Sequence, residues 1–257
     1  MNPAHLMMRQ IGYENRSFWR NPAAAFFTFF FPLMFLFLFP NIFGDEEMNY
    51  FGRPTSLNTF YVPTIAAFSV ITACYTNLAM SITFLRDEGV LKRKRGTPLP
   101  PATYLGARIA HSTLIGILLV GIVVIVGVLF FDVDAPSNTV PAFLVTVAVG
   151  AAVFSALGMA ITGVVPNSDA APAVINFSIL PLLFISDVFI PIRDAPEWLK
   201  NVAEVFPVYH FAQAMLGSFD PFREDAGFEW GHLAVVAIWG VAGAVFALKK
   251  FSWEPRR

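Results

Sequence analysis

Six apolar stretches, at 23–43, 60–84, 106–131, 140–165, 171–191 and 230–250, are each long enough to cross a hydrocarbon core, which takes about 17–25 helical residues. In lipid a continuous apolar run satisfies its backbone polar groups by coiling into an α-helix, so these runs predict an all-α integral membrane protein with six transmembrane helices. Pro32 and Pro181 lie inside runs and mark expected kinks. The first run holds nine phenylalanines and exceeds the roughly 7–15 residues of a signal-peptide core, so it is expected to stay as a span.

Composition agrees, with 56% hydrophobic and 14% charged residues. A net charge of -1 supplies no basic field for nucleic acid. The one cysteine, Cys74, excludes an intrachain disulfide and a thiolate metal cluster.

The cations set the orientation. Arg9, Arg16 and Arg20 precede span 1, Arg86, Lys92, Arg93, Lys94, Arg95 and Arg108 lie between spans 2 and 3, and Lys249, Lys250, Arg256 and Arg257 follow span 6. Only Arg53, Arg193, Lys200 and Arg223 fall on the other side, so the positive-inside rule predicts cytoplasmic termini. Asp45, Glu46, Glu47, Asp132 and Asp134 fall outside. Residues 1–22 read as an amphipathic helix in the cytoplasmic interface. Met7, Ile11 and Phe18 form its apolar face, Met8 and Trp19 the edges, and Arg9, Arg16 and Arg20 the opposite side.

The stretch FLRDEGVLKRKRGTPLPPATYL, residues 84–105, must leave the lipid, because each mid-membrane Lys or Arg costs about 2.5–3.5 kcal/mol. Glu88 and Lys92 stand i,i+4, the acids Asp87 and Glu88 lie early and the cations late, and Gly96 with Pro98, Pro100 and Pro101 imposes a stop. A short charged helix held between spans 2 and 3 is expected. A polybasic patch on anionic lipid explains the cations but not the acid pair or the prolines.

RDEGVLKRKRGTPLP resembles the cytoplasmic loop of type-2 ABC exporter permeases. The amphipathic leader ending in Arg20, Asn21 and Pro22, the six spans, and FPVYHFAQAML at 206–216 extend the likeness over nearly the whole chain, with most similarity to the daunorubicin-type drug-resistance permeases. The resemblance implies one permease domain, 1–257, whose 85–105 loop is a coupling helix for a separate ATP-binding subunit. The docking set it implies is Arg86, Asp87, Glu88, Gly89, Leu91, Lys92 and Arg95, with Arg16 and Arg20 nearby. Asp87 beside Glu88 leaves open which acid makes the main contact. The likeness further implies two ATPase copies, a second permease identical or homologous, spans 1, 2 and 5 along the substrate path, export of an amphipathic compound, and a bacterial plasma membrane.

Catalysis within the chain is not expected. A P-loop needs Gly-Lys before Ser or Thr, and the sequence contains no Gly-Lys, so ATP and Mg are expected on the partner and no cofactor here. His5, His111, His210 and His232 lack metal-ligand spacing, and Asp169 with His111 is the one acid/base pair available to a lipid-modifying enzyme. No row of intramembrane acids supports a proton-coupled carrier. Export of a lipid-linked glycan or polysaccharide is the alternative within the same family.

Polar groups inside the spans are few: Thr64, Tyr75, Asn77, Asn176, Ser178, Ser186 and Asp187. Interhelical hydrogen bonds account for most such groups, and a substrate path is the second use, for which Tyr75, Asn77, Asn176, Ser178 and Asp187 are candidates. Between spans 5 and 6, residues 192–229, Trp198, Leu199, Val202, Val205 and Phe206 recur at helical spacing, Pro207 breaks the run, and 208–216 forms a second short helix stopped by Gly217. By the resemblance these dip into the membrane and close an outer gate, with Trp198, Phe206, Pro207 and Tyr209 as gate residues.

Overall fold

The protein is described by a computed structural model covering residues 3–43, 47–49, 54–97, 99–193 and 195–255, with the backbone alone for 47–49. Asp45, Glu46, Arg53, Pro98, Arg256 and Arg257 lie outside the described residues.

The chain begins with α1 (Pro3–Trp19) and α2 (Pro22–Phe43), passes through a small antiparallel hairpin of β1 (Glu47–Asn49) and β2 (Pro54–Ser56), and enters α3 (Leu57–Ile71). A π-helical turn (Thr72–Asn77) joins α3 to α4 (Leu78–Asp87), and α5 (Val90–Arg95) follows. Then come α6 (Pro101–Phe130), α7 (Val140–Thr162), α8 (Ala171–Phe184), α9 (Glu197–Ala203), α10 (Pro207–Gly217) and α11 (Trp230–Lys250).

Among the described residues, five helical stretches are long and apolar enough to cross a membrane: α2, the continuous Leu57–Asp87, α6, α7 and α11. They make the chain a multi-pass membrane protein. The expected fifth span, 171–191, is helical only as α8, 14 residues and about 21 Å long at 1.5 Å per residue, and ends earlier than its hydropathy does. The reason lies just beyond it. Asp187 adopts a left-handed φ of 55°, and its carboxylate accepts the Ile192 N–H, which turns the chain and drives Val188, Phe189 and Ile192 into the core.

Leu57–Asp87 is the central helix, with 72% of its apolar stretch buried against 22% in both α2 and α11. Its core contacts come from α2, α6, α7 and α10. Phe26, Phe177, Ile238 and Leu248 are exposed, as side chains facing lipid would be.

The π-turn sits mid-helix. Its wider i→i+5 winding is uncommon and is kept where neighbours use it. Here the Ser112 hydroxyl of α6 donates to the Ala73 carbonyl at 2.6 Å, and α7 approaches so closely that a Cβ on Gly158 would lie 2.9 Å from the Cys74 and Tyr75 carbonyl oxygens. Both obstacles are backbone and cannot swing aside. Gly158→Leu is expected to lower stability by about 1–3 kcal/mol, read as a depressed Tm of the solubilised protein; an unchanged Tm would mean that α7 does not seat on the turn.

Candidate functional site

The loop of 86–95 is built by a glycine turn. Glu88 ends α4, and Gly89 takes φ 69°, a left-handed conformation that a side chain would strain, so α5 leaves in a new direction. This corrects the expected single charged helix: the two acids close α4 instead of opening α5, and Glu88 and Lys92 share no helix. Pro101 is the first residue of α6, where its missing N–H costs nothing.

Leu91 is fully buried among Leu78, Ile82, Tyr104 and Met159, with Phe251 and Trp253 of the C-terminal segment packed against the same cluster. That anchor turns Lys92, Arg93 and Arg95 outward, and Lys94 lies 5.9 Å from the Tyr104 ring centroid. Glu88 is exposed, whereas Asp87 is largely buried and accepts the Ser168 N–H. Of the two acids, Glu88 is therefore the one available to a partner.

Arg86 departs most from expectation. It is 1% exposed, and its guanidinium donates to the carbonyls of Thr162 (2.8 Å), the last residue of α7, and of Val165 (2.9 Å) and Pro166 (3.2 Å) just past it. Arg86 and Leu91 thus face the interior of the chain. Gly89 shapes the turn, and of the expected set Glu88, Lys92 and Arg95 are exposed, with Arg93 beside them.

The leader packs differently from a helix lying in lipid. Met7, Ile11 and Phe18 are half-buried, with the Met7 side chain against Gly106 of α6. Glu14 and Arg108, 11% and 12% exposed, form an ion pair at 2.9 Å. Gln10 donates to Glu14 at 2.7 Å, and Arg108 donates to Tyr104 at 2.9 Å and Ser81 at 2.7 Å. The apolar face therefore docks on α6 and a part-buried network locks it there. Arg9, Arg16 and Arg20 remain exposed.

Along the bundle the polar residues bridge helices. Ser178 gives its proton to the Ile175 carbonyl at 2.6 Å, so Tyr75 donates in the 2.6 Å bond between the two hydroxyls. Asn77 donates to Thr28 at 3.2 Å, tying span 2 to α2, and Asn176 is half-buried on α8. Beside α2 an apolar cavity of about 930 Å³ opens between Trp19 and Ile42, lined by Phe26, Phe29, Phe30 and Phe37 among others.

At the opposite end, α10 is inserted into the bundle. Phe211 is fully buried where a Cβ on Gly150 would lie 2.2 Å from its ring. Pro207 is buried at the start of α10, Phe206 stacks on Trp239 at 6.0 Å, and Tyr209 lies edge-on to His210 at 5.4 Å. Burial and the nearby Asp187 and Glu204 push the Tyr209 phenol above its ordinary range. Trp198 on α9 is exposed. Asp187 is 4% exposed, and Gln213 of α10 donates to it at 2.6 Å. Arg223 pairs with Asp225 and Glu229, and the guanidinium holds the Asp225 carboxyl below its usual range.

A family described as ABC-2 type transporter matches residues 8–219, from within α1 to just beyond α10. The chain belongs to the ABC-2 type transporter family. It is 27% identical over 191 residues to the putative transport permease ycf38 of Porphyra purpurea, covering 74% of this chain and 65% of that relative. The daunorubicin resistance ABC transporter permease protein DrrB1 of Streptomyces coeruleorubidus is 28% identical over 223 residues, 84% of this chain and 73% of its own length. The inner membrane transport permease YadH of Escherichia coli K12 is 24% identical over 207 residues, 79% and 72%. The chain spans about two thirds of the length of the ycf38 relative. Within the ABC-2 match lie the exposed basic face of α5, the Arg86 contacts and the inserted α10.

Sequence reasoning missed the Glu14–Arg108 pair, although an acid on the leader and an arginine just inside span 3 were visible signals. It also missed the bond between the Nδ1 atoms of His210 and His232, 2.7 Å apart, which joins residues far apart in sequence.

Proposed function

We propose that this chain is the permease subunit of an ATP-driven exporter that moves an amphipathic, drug-like or lipid-like compound outward across a bacterial plasma membrane. A separate ATPase, present in two copies, binds ATP and Mg and docks on α5, and a second permease completes the path. Both termini are cytoplasmic. The observation that carries this reading is a buried Leu91 anchor beneath an outward row of Lys92, Arg93 and Arg95 in a chain of the ABC-2 transporter family.

An exposed charged face on an apolar base is a surface for a partner of opposite sign, so the ATPase cleft is acidic, with one cation to meet Glu88. Closure of two ATPase subunits pushes α5, which the Gly89 turn joins to α4 and residues 96–100 join to α6, and the spans tilt as rigid bodies. The apolar cavity beside α2, walled by phenylalanines, gives the cargo a soft lining. The likeness to a daunorubicin resistance permease supports an amphipathic cargo.

The test is reconstitution of the co-expressed permease and ATPase in vesicles, with the ATPase on the outside. ATP is expected to drive uptake of a fluorescent amphiphile such as an anthracycline into the lumen. Uptake equal with and without ATP would reject an ATP-driven exporter of that class. Joint replacement of the exposed Arg16 and Arg20 by Gln is expected to weaken ATPase retention about threefold to tenfold, since each is a rim charge, as measured by co-purification at low salt. Undiminished retention would leave these two as membrane anchors.

A further inference from the structure

Arg86 is the largest fully buried side chain among the described residues. A buried guanidinium is kept only where its donors are met, and the three carbonyls that meet it come from one place, residues 162–166 at the end of α7. Helix ends leave carbonyls unpaired and carry the negative end of the macrodipole, so the cation fits there twice over. The neighbouring side chain points the same way. Asp87 accepts from Arg86 Nε at 3.3 Å through one oxygen and from the Ser168 N–H through the other. Two consecutive residues at the root of the loop are thereby bonded to both sides of the α7–α8 turn.

We propose that Arg86 is a positioning residue that fuses the 86–95 loop with the α7–α8 turn, so that a push on α5 enters α7 and α8 as well as α4 and α6. The proposal rests on the ATPase docking described above. Its consequence is a direct route to the far end of the bundle. α8 starts at the stapled turn, is bonded to the central helix through Ser178 and Tyr75, and leads into Asp187, whose carboxylate holds Gln213 of α10. A displacement of the turn therefore moves the support of the inserted α10, without passing through the full length of spans 2 and 3.

The experiment uses spin labels at Lys94→Cys and Asn167→Cys in the full chain in lipid nanodiscs; Cys74, fully buried, stays unlabelled. Pulsed EPR is expected to give one narrow distance with Arg86 in place and a broadened one in Arg86→Gln. Arg86→Lys, which keeps the charge but cannot span three carbonyls, is the variant to use if Gln does not fold, and it too broadens the distance. In the complex, Arg86→Gln or Arg86→Lys is expected to retain the ATPase and hydrolyse ATP while transport per ATP falls about tenfold. A distance as narrow in both variants as in the native chain overturns the staple. Loss of the ATPase from these variants while Arg16 and Arg20 are intact overturns it as well, since Arg86 would then be a docking contact. A native chain that retains no ATPase overturns the docking and with it the transmission, whereas the distance measured on the chain alone still decides whether Arg86 positions the turn.

Discussion

Reversing the outward face of α5, Lys92, Arg93 and Arg95 to Glu together, is expected to abolish retention of the ATPase while the permease still inserts and folds. The three side chains are exposed, the helix is held from beneath by Leu91, and the substitutions leave that anchor untouched. Like charges brought together in an interface cost several kcal/mol, which is about a 100-fold loss of affinity or more. Glu88→Lys is expected to act in the same direction with a smaller effect. Asp87→Lys differs in kind: Asp87 holds Arg86 and the Ser168 N–H, so its reversal lowers stability before it touches docking. The check is co-purification with thermal unfolding measured in parallel. Full ATPase retention by a correctly folded triple variant would place the docking surface elsewhere.

Arg108→Ala carries the largest expected loss of stability, about 2–4 kcal/mol, because it leaves the part-buried Glu14 carboxylate without its cation. Two further bonds, to Tyr104 and Ser81, go with it. Replacing both members, Glu14→Gln with Arg108→Met, is expected to recover much of the loss, since neither charge of the pair is then left without its partner. Thermal unfolding in mild detergent measures both, and Arg108→Ala should also release α1 to limited proteolysis. A single variant as stable as the native chain would show that α1 is held to α6 by its apolar face alone.

The long helices were legible in the sequence because burial in lipid demands unbroken apolar runs: 230–250 coincides with α11, and α2 begins one residue before 23. Span 5 was drawn too long for the same reason. Val188, Phe189 and Ile192 extend its hydropathy, but they serve the core after a turn, and hydropathy does not distinguish lipid from core. The left-handed Asp187 that makes the turn was read only as a polar residue in a span. The loop was recognised from its composition, yet its inner face was hidden. Arg86 and Arg95 look alike in sequence, and only the carbonyls at the end of α7, 76 or more positions away, separate a buried clamp from an exposed cation. The π-turn left no trace in periodicity, since it widens one turn of an otherwise regular apolar helix.

Docking of a separate ATPase on α5 is tested most directly by crosslinking through Lys92 and Lys94 in native membranes and identifying the partner by mass spectrometry. The expected partner is a P-loop ATPase whose crosslinked peptide borders an acidic cleft, captured in proportion to the permease and lost when Arg93 and Arg95 are reversed to Glu. Crosslinks that reach only lipid or other copies of this chain, with no ATPase recovered under any nucleotide condition, would contradict it.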